Sequence, residues 1–252
     1  MLLLSMKFYV LTLFPEIVQS FFSTSIMAKA VERKLVDYSL VNIRDFAFDK
    51  HKTCDDLTYG GGAGMLLMPE PMALALDSIQ ARGKRVVYVS PSGKPFNQAK
   101  AHELSLEKEL VLVCGRYEGI DQRIIDTYIT DEISIGDYVL SSGEVASLVL
   151  IDCIYRLLDG VISRESLEEE SFSDGLLEYP QYTRPAVFRG QTVPEILLSG
   201  HHEQIRKWRL LKRIEKTALN RKDLLEQKRN SATWTSEMEN CLKELQDGNR
   251  LD

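Results

Sequence analysis

Between Lys7 and about Gly160, short β-branched runs alternate with helical stretches, and nothing else in the sequence restricts the fold as strongly. Five segments read as strands: Phe8–Phe14, Leu40–Ile43, Arg85–Val89, Leu110–Cys114 and Tyr128–Ile135. The first is apolar enough to be buried, and the Pro15-Glu16 step behind it suits the first turn of a helix. Helical stretches at Pro69–Arg82, Asn97–Leu104 and Gly143–Leu158 lie between or after the strands. Strands separated by helices predict an α/β fold with a mainly parallel sheet.

The rhythm breaks at residues 163–190. Acids at Glu165, Glu168, Glu169, Glu170, Asp174 and Glu178, a turn at Asp174-Gly175, and Pro180 and Pro185 mark an acidic interdomain linker. After Val193 the chain is helical and its charge reverses. Between Arg206 and Arg229 ten basic residues stand against Glu215, Asp223 and Glu226, a balance of +7 in a chain of net charge −6, leaving −13 elsewhere. Charge alone favours a solvated helix face over a nucleic-acid grip. From about Asn230 the sequence is polar, with Leu242 and Leu245 at helical spacing, and reads as a peripheral helix or tail. The 252 residues therefore divide into a larger domain at 1–162, a linker at 163–190 and a helical domain with its tail at 191–252.

Several classes are excluded. Apolar residues at 44% and charged residues at 27%, with only 15 Gly and 8 Pro, rule out collagen-like and wholly disordered chains. Cys54, Cys114, Cys153 and Cys241 are scattered, without a CxxC pair or a neighbouring histidine, so they read as reduced thiols of a cytoplasmic protein. Met1-Leu2-Leu3-Leu4-Ser5 lacks the pattern of a signal peptide, Met6 is an equally good start, and no run of eighteen apolar residues occurs. His201-His202 open a helix and have no carboxylate–histidine spacing that would ligate a metal.

Three strands end in loops of unusual content: Ser90-Pro91-Ser92-Gly93, Gly115-Arg116-Tyr117-Glu118-Gly119, and Gly136-Asp137-Tyr138-Val139-Leu140-Ser141-Ser142-Gly143-Glu144. In a parallel sheet these loops emerge on one side, where open α/β folds place ligands. Their glycines let the backbone approach a planar ligand, and their tyrosines offer apolar walls. No Walker lysine and no GxGxxG follows a strand, and Tyr59-Gly60-Gly61-Gly62-Ala63-Gly64-Met65 sits in a long loop instead, so a nucleoside triphosphate or dinucleotide site is poorly supported.

Four motifs then carry a resemblance. Gly60–Met65, Cys114–Asp121, Ile133–Leu140 and Tyr179–Pro185, in this order, resemble the bacterial tRNA (guanine-N1)-methyltransferase family, from about Met6 to near Leu225. The resemblance implies a SPOUT-type fold with a deep C-terminal trefoil knot and a smaller all-helical C-terminal domain. It implies a homodimer with active sites shared between subunits, and methyl transfer from S-adenosylmethionine to N1 of the guanosine 3′ of the anticodon, position 37 of tRNA. A loosely bound Mg2+ is compatible with this chemistry. By the same resemblance the cofactor is held by Tyr88, Val89, Ser90 and Pro91, by Gly115, Tyr117 and Glu118, and by Ile135, Gly136, Asp137, Tyr138, Val139, Leu140, Ser142 and Gly143. Asp174 corresponds to the general base and Arg156 to the arginine that stabilises charge on the guanine O6. The family carries a Gly-Gly pair where this chain has Ser142-Gly143, which predicts a slightly narrower cofactor loop. Arg206, Lys207, Arg209, Lys212 and Arg213 become candidate contacts to tRNA phosphates. A knotted methyltransferase acting on ribosomal RNA, or an RNA-binding protein without activity, are the alternatives.

Overall fold

The computed structural model describes residues 5–248. The opening Met1-Leu2-Leu3-Leu4, with the question of a start at Met6, and the last four residues of the tail lie outside the described residues. The chain forms two compact units, Met1–Ser163 and Arg164–Asp252.

The first unit runs β1 (Met6–Thr12), α1 (Pro15–Phe22), α2 (Ser25–Glu32), β2 (Val36–Asn42), β3 (Asp55–Leu57), β4 (Met65–Leu67), α3 (Pro69–Ser78), β5 (Arg85–Pro95), α4 (Gln98–Ser105), β6 (Glu109–Cys114), α5 (Gln122–Tyr128), β7 (Asp131–Ser134) and α6 (Gly143–Tyr155). Five strands form one sheet in the order β2-β1-β6-β5-β7, every pair parallel. Their sequences are apolar at successive positions because helices cover both faces. Along β6, Leu110, Leu112 and Cys114 pack with α1, α2, α4 and α6, while Val111 and Val113 pack with α3 and α5 on the other side. Fully burying each such aliphatic side chain contributes on the order of 1.5–3 kcal/mol, which makes the central strand the anchor of the unit.

Three local expectations need correction. Ser90–Gly93 is not a loop after the third strand but an irregularity inside β5, which runs to Pro95 and whose register against β7 shifts between Val89 and Lys94. Tyr128 belongs to α5 and not to the fifth strand, which starts at Asp131. The Asp121 side chain caps α5 by accepting from the Arg123 N–H at 2.9 Å, and Ile124 and Tyr128, one helical turn apart, bury the same face. The supposed long loop around Gly60–Gly64 is a hairpin, with β3 and β4 paired antiparallel from Asp55↔Leu67 to Leu57↔Met65.

The second unit contains α7 (Arg164–Glu168), β8 (Val187–Phe188), β9 (Gln191–Thr192), α8 (Glu195–Leu198), α9 (His202–Asn220), α10 (Lys222–Arg229) and α11 (Ser236–Asp247). It is not all-helical. Arg189 and Gly190 both have positive φ, as a type I′ turn requires, and this closes the β8–β9 hairpin. Nor is the stretch after Asn230 peripheral: Leu242 and Leu245 of α11 are buried with Ile214 of α9 and with Leu176. Leu176 lies in the segment expected as linker, and that segment is stitched to α9. The Leu177 N–H donates to the Thr217 hydroxyl at 2.9 Å, and Arg213 pairs with Asp174.

Candidate ligand cleft and catalytic residues

Because β6, β5 and β7 are neighbours in the sheet, the irregular stretch of β5 after Val89 and the loops that leave β6 and β7 meet, and they enclose a cleft of about 240 Å3. It is lined by Tyr88, Val89, Ser90 and Pro91 from β5, by Gly115, Tyr117 and Glu118 after β6, and by Ile135, Gly136, Tyr138, Val139, Leu140, Ser142 and Gly143 after β7. Asp137 is the exception among the residues expected there. It is exposed at the apex of a tight turn, where the Tyr138 N–H donates to the Gly136 carbonyl at 2.9 Å.

The second and third loops are joined directly. The Gly143 N–H donates to the Gly115 carbonyl at 2.9 Å, and Arg116 and Ser142 form an isolated antiparallel bridge. A Cβ on Gly143 would lie 2.6 Å from the Gly115 nitrogen and 2.9 Å from the Cys114 Cα, so only glycine fits this crossing. Ser142 takes an extended conformation open to any residue, with φ −162°, so its departure from the family's Gly-Gly pair needs no special backbone. From the other side, the β3–β4 hairpin docks on the second loop, the Glu118 N–H donating to the Met65 carbonyl at 3.0 Å.

The cleft mixes apolar walls, from Tyr117, Tyr138 and Leu140, with two charged side chains of opposite sign, Glu118 and Arg116. That set suits a flat heterocycle carrying a zwitterionic tail. Below the cleft, burial pushes the Cys114 thiol far above its ordinary range, so this cysteine stays protonated and is no nucleophile. Burial likewise raises the Tyr88 hydroxyl, with the Glu132 carboxylate adding to the effect. Among the described residues no group of three or more His, Cys, Asp or Glu side chains comes together to hold a metal.

Arg156 caps the carboxyl end of α6 and is half-buried. Asp174 lies in the second unit, where its Oδ1 accepts from Arg213 and from the Leu176 N–H at 3.3 Å. The expected phosphate-binding cations are also engaged. Arg206 pairs with Glu203 and Glu237, Arg209 with Glu169, Lys212 with Glu215 and Arg213 with Asp174, while Lys207 has only a long 3.9 Å contact to Glu203. The exposed pairs of Arg206 contribute roughly 0–1 kcal/mol each, so a phosphate competes with them readily, whereas Lys212–Glu215 and Arg213–Asp174 are more enclosed. Two participants escaped sequence reasoning. Arg116 was in plain view inside a loop motif, and Glu144 stands as a lone acid directly ahead of the apolar run of α6.

The family profile described as tRNA (Guanine-1)-methyltransferase TrmD matches residues 6–227. The chain belongs to this family. Proteins named tRNA (guanine-N(1)-)-methyltransferase are 69% identical over 241 residues in Treponema denticola, covering 96% of this chain and 99% of the relative, and 62% identical in Treponema pallidum, covering 95% and 96%. The relative from Borrelia garinii subsp. bavariensis is 60% identical over 221 residues, 87% of this chain and 92% of its own length. The TrmD-family match includes the whole cleft and Asp174 and stops short of α11. No helix among the described residues is long and apolar enough to cross a membrane.

Proposed function

We propose that this protein is a tRNA (guanine-N1)-methyltransferase that uses S-adenosylmethionine to methylate N1 of the guanosine 3′ of the anticodon. The observation that supports this most is the cleft between the irregular stretch of β5 and the loops after β6 and β7, within a chain of the TrmD family. When bound there, the donor supplies an electrophilic methyl group on a sulfonium sulfur. Tyr117, Tyr138 and Leu140 would hold its base, and Glu118 would pair with the ammonium group of its amino-acid end. Membership of the TrmD family leads us to read the cleft as part of a deep trefoil knot of the SPOUT class.

A guanine N1 is a poor nucleophile while it carries its proton, so a base must remove that proton as the methyl–sulfur bond breaks. Asp174 takes the proton, and Arg156 donates to O6 as negative charge gathers there. Asp174 must first part from Arg213. The second unit contributes RNA contacts through α9 and its neighbours, where Lys216 and Lys222 are exposed in addition to Lys207. The protein works as a homodimer with active sites shared between subunits. Val145 and Val149, one turn apart on α6, are 50% and 40% exposed, as an apolar face awaiting a second copy would be.

Asp174→Asn is expected to lower the methylation rate at least about 100-fold while donor binding persists, the usual scale of general-base help. The Asp174–Arg213 pair favours one second reading: Asp174 anchors the loop, and another acid of the same segment, Glu170, four residues earlier in sequence, takes the proton. Full turnover by Asp174→Asn, with loss in Glu170→Gln, would select it.

A further inference from the structure

The cleft leans on a carboxylate that does not line it. Glu144 is 1% exposed, and Thr12, at the end of β1, is fully buried beside it. The Thr12 hydroxyl donates to Glu144 Oε1 at 2.6 Å and itself accepts from the Phe14 N–H at 2.9 Å. Glu144 Oε2 accepts from the Arg116 guanidinium at 3.4 Å, and that guanidinium lies 4.4 Å from the centre of the Phe14 ring. Arg116 does line the cleft, as do Ser142 and Gly143, the residues just before Glu144. One buried carboxylate thus ties together the end of β1, the loop after β6 and the start of α6.

Burying such a charge is costly, and well-packed apolar residues would stabilise the fold as well or better. Its return is geometric: the two loops that cross at Gly115 and Gly143 are held in one arrangement. We propose that Glu144 is a positioning residue of the cleft, acting through Thr12 and Arg116 to set the two loops for donor binding. It rests on the methyl-transfer function above, and concerns donor affinity and not the proton transfer.

The test uses the full chain and S-adenosylmethionine itself as the probe. Calorimetry gives the donor Kd of the wild type and of Glu144→Gln, Arg116→Gln and the double variant, with thermal unfolding and tRNA binding measured in parallel. Each single variant is expected to weaken donor binding about tenfold, equivalent to about 1.4 kcal/mol, while tRNA affinity stays within twofold. The double variant binds no more weakly than the worse single, because both report one contact. In steady state the donor KM rises and kcat holds. Thr12→Val, which removes the hydroxyl at nearly constant shape and does not touch the cleft, is expected to move the donor Kd in the same direction, so the test survives if Glu144→Gln does not fold. Donor affinities within twofold of the wild type would overturn the proposal, as would donor and tRNA affinities that fall together. A wild-type protein that does not bind the donor at all would remove the proposed function and this role with it.

Discussion

Gly143 has no room for a methyl group, and the obstacle is backbone on the neighbouring loop, which cannot swing aside as a side chain does. Gly143→Ala is therefore expected to spread the crossing at Gly115 and to weaken S-adenosylmethionine binding by a factor of ten or more, read by calorimetry; an unchanged Kd would mean that the crossing does not shape the site. Sequence reading found this glycine and the loops around it, since a glycine-rich run after a strand is a local signal. It did not find Glu144, whose partners Thr12 and Arg116 are 132 and 28 residues away. Pairing at such separations is created by the sheet, which brings β1 beside β6, and leaves no local pattern in the sequence. The same holds for Arg206–Glu237 and Arg209–Glu169, which turn apparently free cations into partnered ones.

At the scale of elements, strands with two buried faces were the most legible part of the fold, because their continuous apolar runs have no other explanation. The three-residue strands β3 and β4 were too short to show a period of two, and α5 was hidden by the β-branched residues that precede β7. The sheet edge has its own electrostatic lock. Asp131 at the start of β7 is 12% exposed and is bound by Arg85 and, at 3.2 Å, by Lys100. Burial alone would raise its carboxyl, but Arg85, Thr130 and Lys100 outweigh burial and hold it at about 2, below its ordinary 3.8. A depressed carboxyl stabilises the fold above the unfolded-state value, and the stabilisation is lost as pH falls from about 4 toward 2. Asp131→Asn is expected to lose roughly 2 kcal/mol at pH 7 in denaturant unfolding, with the gap to wild type closing as pH approaches 2. In the second unit, Leu245→Ala should cost about 2–5 kcal/mol, because α11 supplies core and not decoration; a thermal midpoint equal to wild type would return α11 to the periphery.

For the molecule as a whole, the charge pattern has a different meaning than the +7 stretch suggested. Residues 164–252 carry 15 basic and 16 acidic side chains, so the second unit is close to neutral, and much of its basic helix is paired within the unit. RNA affinity must therefore come from the exposed lysines Lys207, Lys216 and Lys222 and from pairs that yield to phosphate, and binding should weaken as salt rises. The division at Ser163/Arg164 follows the change from strand–helix alternation to helices that the sequence displays. The most direct test of the proposed function is a methylation assay with the purified protein, S-adenosylmethionine and tRNA bearing guanosine 3′ of the anticodon, followed by mass mapping of the product. One methyl group on N1 of that guanosine is expected; methyl transfer to ribosomal RNA alone, or no transfer to either RNA, would contradict it.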